Sequence, residues 1–264
     1  LQTWRLLRMR TYDAFMNMAI DEAVLISVIE EKTPNTLRFY RWNPSAVSIG
    51  RFQDIRKEVN LLNCGLAGVD VVRRISGGGA VYHDYKDEVT YSAIVRKADL
   101  GVEDASKVYE KICSGLVKAA QILGVKADFN VGDYKQCPNI TINKKKFSGS
   151  AQCHRKGIVL QHGTFLVGVD LRRMFTFLRV PWAKTCMEVV CVAKDKITSI
   201  RQDTGRNVSL EEAEEALIEG FRKVLGVELV EGELTEYEKQ LAKKLRRRKF
   251  ETYEWNFHGR IVEK

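Results

Sequence analysis

The chain has 264 residues, 45% of them hydrophobic and 29% charged, with a formal net charge of +9. These values describe a soluble globular protein long enough to bury a real core as one large domain or two small ones. No apolar run approaches the ~20 residues of a spanning helix, and the start Leu1-Gln2-Thr3-Trp4-Arg5 lacks the basic-then-apolar pattern of a signal peptide. A membrane partner is therefore not expected, and a cytoplasmic location is. Six cysteines (Cys64, Cys113, Cys137, Cys153, Cys186, Cys191) are scattered without a CxxC pair. In a reducing compartment that spacing argues against a disulfide framework and a zinc ribbon. The positive charge favours nucleotides, nucleic acid or an acidic protein surface without choosing among them.

In chain order, Trp4-Arg5-Leu6-Leu7 reads as a first strand, and apolar spacing predicts a helix over 13–25. Phe15, Met18, Ala19 and Leu25 share one face of that helix, with Glu22 on the stripe and Asp21 beside it, two carboxylates expected at the edge of the buried face. Leu37-Arg38-Phe39-Tyr40-Arg41-Trp42 alternates like a half-buried strand, Asn43-Pro44 turns, and Ala46-Val47-Ser48-Ile49 is the next strand. Gly50-Arg51-Phe52-Gln53 then reads either as a pocket wall or as a plain strand-end turn. A short helix around Cys64 leads into the strand Val69-Asp70-Val71-Val72.

The stretch that follows, Arg73-Arg74-Ile75-Ser76-Gly77-Gly78-Gly79-Ala80-Val81-Tyr82-His83-Asp84, carries the strongest chemical signal. Three glycines leave no side chain between a ligand and the backbone, and their conformational freedom lets consecutive N–H groups turn inward as an anion-holding nest. Two arginines add charge and planar donors suited to phosphate or carboxylate. The alternative is a Gly-rich hairpin with two solvated arginines. Neither GxxxxGK[ST] nor a helix-opening GxGxxG is present.

Residues 89–95 read as a strand and 108–123 as an amphipathic helix stopped by Gly124, on which Cys113 is expected to pack. Residues 137–142 alternate like a strand, and Asn143-Lys144-Lys145 makes a polar turn. Lys146-Phe147-Ser148-Gly149-Ser150-Ala151-Gln152 reads as a small-residue loop, either holding a second anion near the first or forming a solvated hairpin tip. A strand over 157–167, interrupted by Gly163, carries His162 and Thr164. Residues 170–178 form a helix ended by Pro181. Cys186 and Cys191 lack partner histidines and are expected to pack. Ser209 caps a strong helix closed by Gly226, residues 227–234 form a short strand and turn, and the helix from Thr235 ends in the basic run 243–249. That run suits a solvated helix end, an acidic docking partner or nucleic acid, but no helix-turn-helix, RNA-binding aromatic motif or zinc finger accompanies it, so nucleic acid is not expected. With no repeat, low-complexity tract or long linker in view, residues 1–264 are expected to form a single domain.

As an ordered set, the glycine stretch, Lys146-x-Ser148-Gly149-Ser150-Ala151 and His162-Gly163-Thr164 resemble the lipoate-protein ligase A family of the biotin/lipoate A/B protein ligases. The resemblance extends to Asn17-Met18-Ala19-Ile20-Asp21-Glu22, Leu37-Arg38-Phe39-Tyr40, Gly50-x-Phe52-Gln53 and Glu254-Trp255-Asn256. It implies a mixed α/β (α+β) catalytic domain with mixed β-sheets flanked by helices. The implied reaction joins lipoate and ATP into lipoyl-AMP and then passes the acyl group to a lysine of an acceptor domain, of the 2-oxoacid dehydrogenase E2 or glycine-cleavage H-protein type. Arg74 and Gly79-Ala80-Val81-Tyr82 would lie against the nucleotide or acyl phosphate, with Gly77 and Gly78 completing the loop. Lys146 would contact the acyl carboxylate and α-phosphate, and His162 the acyl tail or phosphate. The implied nucleotide and adenylate site extends over Arg73, Ser76, His83, Ser150, Ala151, Gly163 and Thr164. Such charge build-up suits a fixed lysine and backbone donors, with Mg²⁺ bridging phosphate oxygens, although no metal ligands are identified.

The pattern departs from the family at one point. Family ligases carry an Asn-Asp pair ahead of the lysine, and here the residues are Pro138-Asn139, beside Cys137. Related octanoyltransferases share the scaffold, and some use a cysteine in this region as an acyl nucleophile without ATP, which makes a Cys137 thioester the alternative mechanism. Another transferase branch places its cysteine after a proline resembling Pro181, where this chain has Trp182. The Gly-Arg-Gly-Arg loop of biotin ligases is absent. The triple glycine followed by Ala-Val-Tyr-His-Asp favours adenylation, so ligation stands first on sequence. The resemblance also implies a mobile adenylate-binding loop within the stretch 183–191. No accessory domain is expected after 255–256, which leaves a separate accessory subunit, a self-sufficient short enzyme or the transferase, with lipoate or octanoate as the acyl group.

Overall fold

A computed structural model of the chain describes residues 1–102, 104–132 and 138–261. The order is β1 (Gln2–Tyr12), α1 (Ala14–Ile29), β2 (Thr36–Trp42), β3 (Ala46–Ile49), α2 (Ile55–Glu58), α3 (Leu61–Ala67), β4 (Asp70–Arg73), β5 (Val81–His83) and β6 (Glu88–Arg96). Then come α4 (Lys97–Leu100), α5 (Ala105–Ile122), β7 (Ala127–Asn130), β8 (Asn139–Ile142), β9 (Lys145–Arg155) and β10 (Ile158–Leu166). The C-terminal part holds α6 (Leu171–Phe177), α7 (Cys186–Ala193), α8 (Ile200–Thr204), α9 (Leu210–Leu225), β11 (Val227–Glu231) and α10 (Glu236–Leu245). Two π-helical turns, Arg246–Phe250 and Glu254–His258, follow.

The strands form an eight-stranded mixed sheet in the order β11-β1-β2-β6-β10-β9-β8-β7 and a three-stranded sheet in the order β4-β3-β5. Alternation along the central strands sends side chains to two different cores. On one face Tyr91, Val159 and Phe165 pack under α5 and α9. On the other, Leu160 and Ile94 pack under α1, α10 and the first π-helical turn. No helix of the described residues is long and apolar enough to cross a membrane.

Asp13 caps α1 by accepting from Met16 N at 2.8 Å, which satisfies a helix-end donor. The helix is buried on nearly every side, and this corrects the expectation for its carboxylates. Asp21 and Glu22 are 1% and 4% exposed, inside the core rather than at its rim. A charge at that depth needs a partner, because desolvating an unpaired ion costs several kcal/mol. Glu22 takes Lys249 Nζ at 2.7 Å and Arg155 Nη1 at 2.9 Å. Lys249 comes from the basic run 243–249, so that run is not wholly a solvated end. Its last member is buried and locks the C-terminal turns onto α1.

Residues 146–152 also differ from the sequence reading. They belong to a long strand, β9, and the tight turn before it is Asn143-Lys144, both with positive φ, as a two-residue hairpin requires. Small residues suggested a loop there because they leave no apolar alternation. The residues around 183–191, for which sequence offered no regular element, hold the helix α7.

Candidate active site

Because β4 and β5 flank β3, the connection between them must cross the end of β3. That connection is the glycine loop, residues 74–80. Arg51 N donates to Ser76 O at 2.8 Å and Arg74 N to Ile49 O at 3.0 Å, which tie the loop to the end of β3. Gly50 is the crossing point. A Cβ placed there would stand 2.0 Å from Gly78 O, so only glycine permits the approach. Gly50 therefore works beneath the loop, and neither it nor Gln53 lines the cavity.

The guanidinium of Arg74 organises the loop from inside. It donates to Ser48 O and Oγ at 3.0 Å each, and to the carbonyls of Gly77 and Gly79 at 2.8 Å each. In a trans peptide N–H and C=O point in opposite directions. With those two carbonyls on Arg74, the N–H groups of Gly78 and Ala80 point away from it. Both residues line the cavity.

The facing wall comes from β9 and β10. Thr141 pairs with Lys146 and Ile140 with Ser148, which leaves Phe147 as the extra residue of a β-bulge. One extra residue reverses the alternation. Lys146 is thereby turned away from the side of buried Ser148 and lies over Gly149, where a Cβ would meet its Nζ at 3.0 Å. Its backbone is pinned from both sides, N to Lys196 O at 2.8 Å and O from Thr198 N at 3.0 Å. The stretch just after α7 thus supports the lysine.

Between these walls lies a cavity of about 110 Å³, partly open to solvent. Of the residues singled out from sequence, Arg74, Gly78, Gly79, Ala80, Val81, His83, Lys146, Ser150, Ala151, His162, Gly163 and Thr164 line it. Four do not. Arg73 is turned the other way, where its guanidinium binds the carbonyls of Gln53 at 2.7 Å, Asn256 at 2.8 Å and Trp255 at 2.9 Å. Its role is to hold the C-terminal turn against β4, a join completed by Trp255 Nε1 donating to Arg73 O at 2.7 Å. Ser76 is fully buried, Gly77 is half-buried outside the lining, and Tyr82 packs on Phe177. Cys137 lies outside the described residues. The residue after it, Pro138, lines the cavity.

Two buried hydrogen-bond chains end on the loop. In the first, Asp21 Oδ2 lies 2.9 Å from His162 Nδ1, and His162 Nε2 lies 2.6 Å from Ser76 Oγ. Arg38 Nη1 and Tyr40 OH also donate to Asp21, at 2.6 and 3.0 Å. In the second, Glu88 Oε1 lies 2.8 Å from His83 Nδ1, and His83 Nε2 lies 2.8 Å from Ser48 Oγ. The indole of Trp42 stacks on His83 with centroids 4.1 Å apart. Asp21, Glu88 and Ser48 were not singled out as site residues. The available signal for Asp21 was a carboxylate inside a largely apolar helix, which burial obliges to find partners.

Burial drives the Asp21 carboxyl upward, but Arg38 and His162 outweigh it and hold it below the usual range. His162 moves below the ordinary imidazole value because burial disfavours its charge, aided by Arg74 and His83 and opposed by Asp21. Below about pH 6.5 the unfolded chain therefore takes up a proton that folded His162 refuses. Stability is expected to fall as pH drops from about 6.5 toward that lowered value. Urea unfolding across that window should show a shallower fall in His162→Gln. Asp21 acts in the same direction further down: its contribution is present above the ordinary carboxylate value and is lost as pH falls through its lowered one.

Among the described residues no carboxylate lines the cavity and no group of three His, Cys, Asp or Glu could hold a metal. A hard cation such as Mg²⁺ wants oxygen ligands, so these residues do not fit it. Cys113 sits beneath the floor, 3.8 Å from Ser150 Oγ, and burial pushes its thiol up to about 11. It packs, as expected from sequence. Cys186 is half-buried near α6, but Cys191 is exposed and does not pack.

Residues 13–222 match the family described as Lipoyl protein ligase A/B catalytic domain. The chain is 33% identical to the octanoyltransferase LipM of Clostridioides difficile, over 97% of this chain and 99% of that one. It is 37% identical to the octanoyltransferase LipM of Kyrpidia tusciae, again over 97% and 99%. Among solved structures, a bi-partite lipoate protein ligase from Thermoplasma acidophilum, studied with its E2 lipoyl domain, superposes with TM-score 0.83 at 29% identity, covering 100% and 99% of the two chains. A lipoate-protein ligase A bound with ATP does so with TM-score 0.83 at 30% identity, covering 97% and 99%.

Proposed function

Because this chain belongs to the lipoyl protein ligase A/B catalytic family, we propose that it transfers an octanoyl group from a carrier-protein thioester to the lysine of a lipoyl-acceptor domain. Sequence alone put ATP-dependent ligation first. The relatives that match end to end carry the octanoyltransferase name, and this favours the reverse order. The observation that carries the reading is at the cleft: where family ligases have Asn-Asp, Pro138 lines the cavity directly after Cys137. The absence of a carboxylate among the described lining residues agrees with chemistry that handles no magnesium-bound triphosphate.

In this reading the Cys137 thiolate attacks the thioester carbonyl. The C–S bond to the carrier breaks, the carrier leaves as a thiolate that takes up the proton Cys137 gave to solvent on ionising, and the acyl group rests on Cys137. The ε-amine of the acceptor lysine then attacks that thioester, the new C–N bond forms, and Cys137 leaves with the amine's proton passing to solvent or sulfur. Both steps place negative charge on the carbonyl oxygen. The Gly78 and Ala80 N–H groups and the Lys146 ammonium are the donors for it, fixed before reaction so that little reorganisation is needed. The apolar stretch from Met18 and Trp42 to Val81 receives the acyl chain.

A specific observation keeps ligation as the second reading: the ATP-bound ligase A aligns over nearly the whole chain. The test offers a purified lipoyl domain either octanoyl-carrier protein without ATP or free octanoate or lipoate with ATP and Mg²⁺, and follows product by intact mass. Transfer only from the carrier, with an acyl adduct on the enzyme that disappears in Cys137→Ser, is the expected result. Transfer only from free acid and ATP, unaffected by Cys137→Ser, establishes the ligase instead.

A further inference from the structure

We propose that Asp21 and Glu88 are positioning residues for this site: through His162–Ser76 and His83–Ser48 they fix the direction of the hydrogen bonds that hold the glycine loop. Neither carboxylate lines the cavity, so neither touches substrate. Each accepts from an imidazole Nδ1, which places the proton there and leaves Nε2 as an acceptor. With Nε2 accepting, the hydroxyls of Ser76 and Ser48 must donate toward the rings. Ser48 Oγ then offers its lone pairs to Arg74 Nη1, 3.0 Å away. Arg74 in turn holds the Gly77 and Gly79 carbonyls. Polarity thus runs one way from each carboxylate to the loop.

The two chains reach the loop at different points. Asp21, from α1, acts through His162 of β10 on Ser76 at the loop's start. Glu88, from β6, acts through His83 of β5 on Ser48 of β3 and so on Arg74. A helix and strands of both sheets are joined at one backbone segment by groups nine-tenths or more buried. Exchanging either carboxylate for its amide keeps size but permits the opposite polarity, because an amide can donate to Nδ1. The ring then carries its proton on Nε2, and the serine hydroxyl is turned.

This inference rests on the acyl-transfer reading only for its kinetic arm. On the parent enzyme, ¹⁵N spectra of labelled histidine should show the ring proton on Nδ1 and an accepting Nε2 in His162 and His83. Asp21→Asn should lose that signature at His162, Glu88→Gln at His83, and both should shift the amide resonances of Gly77, Gly78 and Gly79. Ser76→Ala and Ser48→Ala cut the same chains without altering a buried charge, which covers the case of an amide variant that fails to fold. All four are expected to lower kcat by ~10- to 100-fold, as small misplacements of a site do, with a smaller change in KM for the acyl donor. Glycine amides and tautomers unchanged in the carboxylate variants overturn the proposal, as does a rate loss that merely tracks the fraction unfolded. If the parent transfers no acyl group, the functional reading fails and the spectra alone decide the bracing.

Discussion

Lys146→Met is expected to lower acyl transfer by roughly 10²- to 10³-fold, the usual cost of losing one preorganised donor to a developing oxyanion. Stability should fall far less than activity, by roughly 1 kcal/mol or under, as for substitutions of exposed side chains. The two expectations separate because of how the residue is built in. Its backbone is held by Lys196 and Thr198, contacts that any residue makes. Its side chain is exposed and crosses Gly149, and methionine retains that stem while removing the ammonium. Steady-state transfer to a lipoyl domain, with thermal melts beside it, checks both. Near-parental transfer would remove Lys146 from the chemistry, while a large drop in melting temperature would show that the bulge depends on its charge.

Gly50→Ala is the second large effect, through geometry rather than charge. The added methyl would stand 2.0 Å from Gly78 O, 3.0 Å from Gly78 C and 3.2 Å from Gly77 C. None of these atoms is the flexible end of a side chain, so the loop itself must move. Overpacking of this kind costs about 1–3 kcal/mol, and a shift near 1 Å at a catalytic site costs on the order of 10²-fold in rate. Gly65→Ala in α3 is the control, since a Cβ there meets nothing within 4 Å. The expected pair is a crippled Gly50→Ala and a fully active Gly65→Ala. A fully active Gly50→Ala would mean that the loop is not the fixed element described.

The basic run 243–249 shows why local chemistry misleads. A string of cations after an amphipathic helix describes a solvated end, and for Arg247 and Arg248 that description stands. Lys249 is different because the π-helical turn carries it inward, over the Trp255 ring at 4.1 Å and onto Glu22. The pair spans 227 residues, and nothing near either residue announces it. Arg73 and Arg74 make the same point side by side. Arg73 ends β4 and Arg74 opens the loop, and their side chains go to opposite sides, so one serves the C-terminal turn and the other the loop.

From sequence alone came the elements with strong periodicity, the cap at Ser209, the stop at Gly226, the mixed α/β class and the family. Most of the cavity's polar lining was also legible, because glycines, a lone lysine and a histidine in ordered motifs carry their chemistry locally. Tertiary structure decided which way those groups face. It took the sheet order to send the loop over Gly50, a bulge at Phe147 to turn Lys146 over Gly149, and two helix and strand carboxylates to orient the histidines. The physical reason is range: propensity, capping and turn chemistry act over a few residues, whereas buried charges are paired by contacts that only packing brings together.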